Sequence, residues 1–326
     1  MALQRRHLMM AAGAAALGGL APLARAQTVE NLRVLAGFPP GGVTDGIARQ
    51  VANRLRGTYA RTVIVENRAG AGGRVAVEEL RRSAADGATM LITPGTVFTL
   101  HPHVHRALTY GPGDFAPVSM VVRFELGFGV GPAVPASVRD LRGFLDWVRA
   151  HPAQASFGSP GAGLASHFAG ALLALESGVD LRHVPFRGAA PAIQDLLGGH
   201  LPAFSSTVGD FLPHLREGRV RLLATSGPTR SRFAPEVPTY VEQGFAGISI
   251  TEWFGAFMPL GTPAPTINAA AQAVRQALGH SEVVDALALL GMTVAPSTPA
   301  ELADTVRREN AAWGPIVTRV GFTPES

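Results

Sequence analysis

The feature that most constrains this chain is the stretch Phe38-Pro39-Pro40-Gly41-Gly42-Val43-Thr44-Asp45. It sits between a short apolar run, Leu32 to Ala36, and a helical pattern. Ile47, Val51 and Leu55 recur at four-residue intervals with Ala48 and Ala52 beside them, so one face of that helix is apolar. The sequence therefore reads as a buried strand, a tight Pro/Gly loop and a helix start. The prolines fix the approach, and the glycines remove side chains that would shield backbone N–H groups. The first N–H groups of a helix have no internal partner, and the helix dipole places roughly +0.5 of a charge there. Such a loop suits an anion, and without a lysine it suits a carboxylate better than a triphosphate. The alternative is an ordinary strand–helix turn that binds nothing.

The same design returns along the chain. Thr62-Val63-Ile64-Val65 is a β-branched strand that runs into Glu66-Asn67-Arg68-Ala69-Gly70-Ala71-Gly72-Gly73, followed by a helix from Arg74 to about Ser83. A third strand, Thr89 to Thr93, ends at Pro94-Gly95-Thr96. Strands alternating with helices imply a parallel sheet, whose ligands sit beyond the carboxyl ends of the strands. Three such ends carry small, backbone-exposing loops.

Phe115 to Val122 is extended, with further apolar residues to Val130, and Ser137 with Asp140 is expected to cap a helix to about Arg149. Here the chain is expected to pass into a second domain. The run Ser156 to Ser159 leads through Pro160-Gly161-Ala162-Gly163 into a helix from His167 to about Glu176, and Val184-Pro185-Phe186-Arg187-Gly188 marks another strand end. Ala203 to Thr207 and Arg221 to Ala224 are further strands, with a weakly helical stretch, Val208 to Leu215, between them. After an irregular excursion from Gly227 to Gly247, Ile248 to Met258 reads as the return crossing. Helices then follow from Pro263, from Ser281, which is expected to cap its helix, and from the capping box Thr298-Pro299-Ala300-Glu301.

Composition narrows the chemistry. The chain has no cysteine and no lysine, which removes disulfides, thiolates, Schiff bases and the phosphate-loop lysine. Arg5, Arg6 and Arg25 lie in the first 26 residues, which hold no acid, so the remainder carries 25 arginines against 24 acids. That near-neutral remainder, without arginine runs interleaved with aromatics, argues against nucleic-acid binding. Residues 1–26 read as an export signal: a twin arginine, an apolar run from Met9 to Leu23, and Ala24-Arg25-Ala26 as the cleavage site, giving a mature start at Gln27.

The ordered motifs resemble the Bug family, the extracytoplasmic solute receptors of tripartite tricarboxylate transporters. The resemblance rests on Phe38-Pro39-Pro40-Gly41-Gly42 with Asp45, Val65 to Gly73, Asp86-Gly87, Phe115-Ala116-Pro117-Val118 and Ser159 to His167. Val184 to Gly188, Leu196-Leu197-Gly198-Gly199, Val237-Pro238-Thr239, and Trp253-Phe254-Gly255 with Thr262-Pro263 extend it over essentially the whole mature chain. It implies an α/β, two-domain periplasmic-binding-protein-like fold of the type II kind, each domain a mixed, mainly parallel sheet flanked by helices. The expected division is residues 27–122 plus 254–326 as domain 1 and residues 123–253 as domain 2. A small carboxylate would be held between the lobes and delivered to membrane transporter subunits by a periplasmic monomer. Neither cofactor, metal nor catalysis is expected. Exported serine hydrolysis through Ser159 or Ser166 with His167, or a sensor feeding a signalling system, are the alternatives.

The first two loops of the family clamp a ligand carboxylate through backbone groups and water, and the second domain's Ser/Gly loop closes over the rest. Carried onto this chain, the expected contacts are Phe38, Pro40, Gly41, Gly42, Thr44, Asp45, Asn67, Gly70, Ala71, Gly72 and Thr96 on one side. Ser159, Gly161, Ser166, His167 and Ser206 face them. Asp45 serves either a ligand or the helix dipole, Thr44 is an N-cap, a ligand donor or both, and Arg68 binds solute or tethers its loop. The chain departs from the family at Arg74, often asparagine; Ala171, often an acid; Phe186, often tyrosine; and His101-Pro102, often Asn-Pro. Ser205-Ser206-Thr207 lies where many members carry an acid, which argues against a ligand ammonium there. His101, His103 and His105 read as a solvated, irregular turn and not as metal ligands. Gly70 to Val75 resembles a dinucleotide loop, yet Val75 takes the third glycine position and no acid ends the next strand. Trp253 and Phe254 are expected to pack at the hinge more readily than to line the cleft.

Overall fold

The computed structural model describes residues 29–323; the expected export signal lies outside them. Strand β1 (Val29–Ala36) pairs in parallel with β2 (Ala60–Asn67) and β3 (Thr89–Pro94). The register sets Ala36 beside both Asn67 and Ile92, so the three carboxyl ends lie level. Val34 and Ala36 pack into a core with Ile47, Val51 and Leu55 of helix α1 (Val43–Leu55), while Leu35 packs with Ala76, Val77 and Leu80 of α2 (Arg74–Arg82). A strand buried on both faces has no polar face to alternate, which is why Leu32 to Ala36 reads as an apolar run.

Two short helices follow β3: α3 (Thr96–Thr99) and α4 (His101–Val104). Strand β4 (Phe115–Val130) absorbs the whole apolar stretch the sequence shows there, in 16 residues. Its first part, Phe115 to Glu125, pairs antiparallel with β9 (Thr251–Pro259), and its last part, Leu126 to Val130, pairs with β7 (Ala203–Thr207) and β8 (Arg221–Thr225). Parallel to β7 lies β5 (Ser156–Ser159), followed by β6 (Arg182–Pro185). The strand order is β2-β1-β3-β9-β4-β7-β5-β6, with β8 and β10 (Thr293–Val294) also joined to β4. The chain is thus mixed α/β, with parallel groups on either side of a long antiparallel crossing. The expected boundaries at 122/123 and 253/254 fall inside β4 and β9.

Helices α5 (Leu141–Ala150), α6 (Ala165–Ser177), α7 (Ala189–Leu197) and α8 (Val208–Arg216) flank the second group of strands; α9 (Ala264–Leu278), α10 (Ser281–Ala288) and α11 (Pro299–Val320) close the chain. The Thr298–Glu301 capping box is present with both reciprocal bonds. Two expected caps differ. Asp140, not Ser137, is the N-cap of α5, its Oδ1 accepting from Gly143 N–H at 2.7 Å, because only the residue next to the first turn reaches that donor. His280 occupies the N-cap of α10, ahead of Ser281.

Ser226 fastens the crossing. Leu126 N–H donates to its Oγ at 2.9 Å, and that Oγ donates to the Ile250 carbonyl at 2.5 Å. Its own N–H and C=O pair with Leu126 and Ile250 at 2.9 and 2.7 Å. On the far side, Gly209 of α8 lies against the turn before β10: a β-carbon there would sit 2.0 Å from the Leu290 carbonyl oxygen. Gly209→Ala adds about 1 kcal/mol of helix propensity. A backbone obstacle cannot rotate away, so a net loss of about 1–3 kcal/mol is expected in urea unfolding. A more stable variant would show that this helix–turn contact is not tight.

Candidate functional site

The first loop is closed by its own acid. Gly41 N–H donates to Asp45 Oδ2 at 3.0 Å, and Gly42 N–H donates to the Pro39 carbonyl at 3.3 Å. Arg49 Nε donates to both Asp45 oxygens at 3.0 and 2.9 Å. Asn67, at the end of β2, donates from Nδ2 to Asp45 Oδ1 and to the Phe38 carbonyl, each at 3.0 Å. Asp45 is therefore engaged on three sides and ties the first loop to the second strand. The Arg49 hydrogen bond, with help from Gly41 and Asn67, outweighs burial and holds its carboxyl down at about 2. The N–H groups of Gly41 and Gly42, which the sequence suggests as ligand donors, are used inside the loop. Thr44 is buried at the first turn of α1 and makes no N-cap bond, Gly42 holding that position; Pro40 is exposed.

The second loop holds a left-handed turn. Gly70, Ala71, Gly72 and Gly73 have φ of 145°, 48°, 65° and 94° in succession, and Ala71 is the only such non-glycine among the described residues. Gly73 N–H returns to the Gly70 carbonyl at 3.0 Å and Arg74 N–H to that of Ala71. The N–H groups of Ala71 and Gly72 have no acceptor among the described residues. The two loops touch through glycine: a β-carbon on Gly37 would lie 2.9 Å from Gly73 Cα, and one on Gly73 would lie 3.2 Å from the Phe38 ring. Arg68 tethers its loop, pairing at 2.8 Å with Glu66 and with Glu79.

At the third strand end, Gly95 N–H donates to the Trp253 carbonyl at 2.8 Å and Thr96 is half-buried. Trp253 is buried and donates from Nε1 to Glu309 Oε2 at 2.7 Å, so it packs beneath the strand end. The histidine segment differs from expectation. Residues 101–104 are helical with Pro102 in the first turn, where its missing N–H does no harm, and His101 is only 5% exposed. Burial, with His105 and Arg74 nearby, pushes His101 down to about 3. His103 bonds the Asn310 carbonyl at 2.8 Å, and no group of three or more metal-ligating side chains exists among the described residues. Helix α4 is shared ground: β-carbons on Gly72 and Gly163 would lie 3.6 Å from His101 and 3.7 Å from Val104.

On the other side, Ser159 ends β5. Its Oγ donates to the Gly161 carbonyl at 2.8 Å and lies 2.7 Å from His183 Nε2. A hydroxyl has one proton: when it goes to the Gly161 carbonyl, His183 Nε2 is the donor in the second bond. The His183 ring stacks on His167 with centroids 3.8 Å apart, and His167 Nδ1 accepts from Gly163 N–H at 3.2 Å. Burial lowers the two imidazoles to about 3 and 4 respectively, so both are neutral. Ser166 is buried in the first turn of α6. Sequence reasoning missed His183; its only signal was position in a strand, two residues before the strand's last residue, Pro185. Ser206 is buried and donates to Asp210, one turn into α8, whose carboxyl burial pushes upward. An acid is thus restored beside the position where the sequence lacks one.

These loops belong to a periplasmic solute-binding fold, and the likeness to known proteins says so at length. MatC from Rhodopseudomonas palustris, solved with bound malate, superposes with a TM-score of 0.75 at 30% identity over 89% of this chain and 99% of its own. Rpa4515 of R. palustris, solved with adipate, gives 0.81 at 26% identity over 91% and 99%. BugT of Bordetella pertussis is 31% identical over 314 residues, 94% of each chain. Residues 47–322 match the model of the tripartite tricarboxylate transporter family receptor, and the chain belongs to that family, TctC.

The clamp at Asp45 predicts a pH signature. A carboxyl held low stabilises the fold above its unfolded pKa, and that gain is lost as pH falls through the folded value. Asp45→Asn is expected to cost about 1–2 kcal/mol near neutral pH in denaturant unfolding, with the difference from wild type shrinking from about pH 4 towards about 2. An unchanged difference across that window would remove Asp45 from its role as the clamp.

Proposed function

We propose that this chain is an exported receptor that captures a small organic acid between two lobes and delivers it, unaltered, to a tripartite tricarboxylate-type transporter. Residues 1–26 direct export to the periplasm. Residues 27–122 with 254–326 form one lobe and residues 123–253 the other, working as a monomer. The observation that carries the reading is the second loop: unengaged N–H groups of Ala71 and Gly72 stand at the level carboxyl ends of β1, β2 and β3, packed against the first loop. Backbone donors held in place this way suit a carboxylate and need no rearrangement to receive it.

In this reading Phe38 and Pro40 cover the ligand, and the turn at Gly70, Ala71 and Gly72 with Thr44 and Thr96 holds its carboxylate, while Asn67 fixes the first loop beside it through Asp45 and the Phe38 carbonyl. Ser159, Gly161, Ser166, His167 and Ser206 meet the remainder from the second lobe. The malate and adipate held by MatC and Rpa4515 support an acid as ligand. Closure then follows from tighter binding to the closed arrangement. Ligand at 100 times its dissociation constant should add about 2.7 kcal/mol of stability. Thermal denaturation with malate, adipate and a wider panel of carboxylates, alongside small-angle scattering and assay of product, tests the reading. Saturable stabilisation, a smaller radius of gyration and no product are expected. Stabilisation by no carboxylate, or turnover of one, would overturn it.

A further inference from the structure

The crossing between the two strand groups carries an acid in an unusual place. Trp253 of β9 is fastened to the first group, its carbonyl accepting from Gly95 N–H at 2.8 Å, and Ile250 is fastened to the second through Ser226. Glu252 lies in the span between these fastenings, just beyond the carboxyl end of β3, where Thr96 also stands. It is opposite Phe124 of β4 in the register, and alternation sets it on the face where the rings of Phe124 and Phe254 meet with centroids 5.8 Å apart. Glu252 is 9% exposed, and its carboxyl makes no hydrogen bond or ion pair among the described residues.

The charges around it leave it uncompensated. Strand β3 holds no titratable residue. From β4, Arg123 directs Nε to Met120 Sδ at 3.0 Å, and Glu125 accepts from Ser231 Oγ at 2.9 Å. Helix α2 packs against β9, but Glu78 pairs with Arg81 and Arg82, Glu79 pairs with Arg33 and Arg68, and the field of Arg74 falls on His101. Beyond β8, Arg230 pairs with Glu242. Helix α11 brings Arg308 and Glu309, and Glu309 accepts from Trp253 Nε1 at 2.7 Å, one residue along from Glu252. Burial first, and the Glu309 carboxylate second, push Glu252 up to about 8. Glu309 is itself raised by burial, against the Trp253 bond and the fields of Arg123 and Arg308. Two acids thus share one end of the crossing, and neither forms an ion pair among the described residues.

We infer that Glu252 couples capture to protonation: the crossing accommodates its neutral carboxyl, and the lobes close over an anionic acid with that proton in place. The inference rests on the receptor reading above and deepens it by naming what regulates the same site. Closure brings the ligand's charge to the strand ends beside residue 252 and removes water from between them. A second negative charge there is then repelled more strongly than in the free receptor. Linkage makes the effect reciprocal: the bound anion strengthens the hold on the proton, and loss of the proton weakens the hold on the anion. Capture therefore draws a proton from solvent wherever the free receptor is partly ionised.

The test is calorimetry of mature protein with malate and adipate from pH 7 to 10, in buffers of different ionisation enthalpy. Affinity is expected to be level at the lower end and to fall above about pH 8, approaching about tenfold per pH unit. Near pH 8 the heat should depend on buffer in the sense of proton uptake. Glu252→Gln should match the wild-type affinity at pH 7, lose the fall and lose the uptake. Without ligand, a carboxyl raised in the folded state costs stability as pH rises from the ordinary carboxylate range to about 8. The unfolding midpoint of Glu252→Gln should therefore gain on wild type across that window. Glu309→Gln still accepts the Trp253 bond but removes the neighbouring charge, so its fall should begin at lower pH. This variant carries the test if Glu252→Gln does not fold: a fall that stays where it was overturns the inference. Equal pH dependence of affinity in wild type and Glu252→Gln, or no proton uptake near pH 8, overturns it and leaves the receptor reading standing. Failure of wild type to bind any acid of a wider carboxylate panel at any pH overturns the receptor reading itself.

Discussion

The site depends on a contact with no side chains in it. Gly37 and Gly73 approach so closely that a methyl group on the first would meet the main chain of the second. This lets the loop after β1 and the loop after β2 lie against each other, with the Phe38 ring over Gly73. Asn67 and Asp45 then lock the arrangement through hydrogen bonds from one side chain to a carboxylate and a carbonyl. The left-handed turn at residues 70–73 follows from the same constraint. Three glycines adopt it without penalty, and Ala71 adopts it at roughly 1–2 kcal/mol of strain. Strain of this kind persists only where the surroundings enforce it, and here two backbone donors within the turn have no acceptor among the described residues.

A second dependence lies at the crossing. A strand of 16 residues that changes partners halfway, with register shifts against both β9 and β8, must stay fastened where the change occurs. Ser226 supplies that continuity by engaging Leu126 and Ile250 with both backbone groups and its hydroxyl. Gly127 and Gly129 of β4 leave room for Leu222 and Phe211, so the strand stays packed where its partner changes from β9 to β7 and β8. The parallel strands on each side therefore present their carboxyl ends from fixed positions.

Much of this was legible in the sequence because it follows from local rules. The strand–glycine–helix units, the Thr298 capping box and the burial of Trp253 are consequences of periodicity, propensity and size. What escaped was set by tertiary neighbours. Nothing local says that Gly41 N–H is taken by Asp45, since a first-turn acid serves equally well as a dipole partner. His101 looked solvated because three histidines around a proline are polar by composition; its burial comes from the packing of α4 under the second loop. His183 could not be matched to Ser159 from the spacing of residues, because parallel pairing of β5 with β6 is what brings them together. Asp210 is the instructive case: the missing acid was sought on the strand, and the helix supplies one a turn later.

The charges are arranged asymmetrically, and this is where fold and chemistry meet. Near the second strand group the titratable side chains at the strand ends are two stacked imidazoles lowered by burial, a carboxyl raised by burial, and the exposed Arg187 two residues beyond β6. Near the first group the backbone turn, the positive end of α2 and Arg74 all favour negative charge.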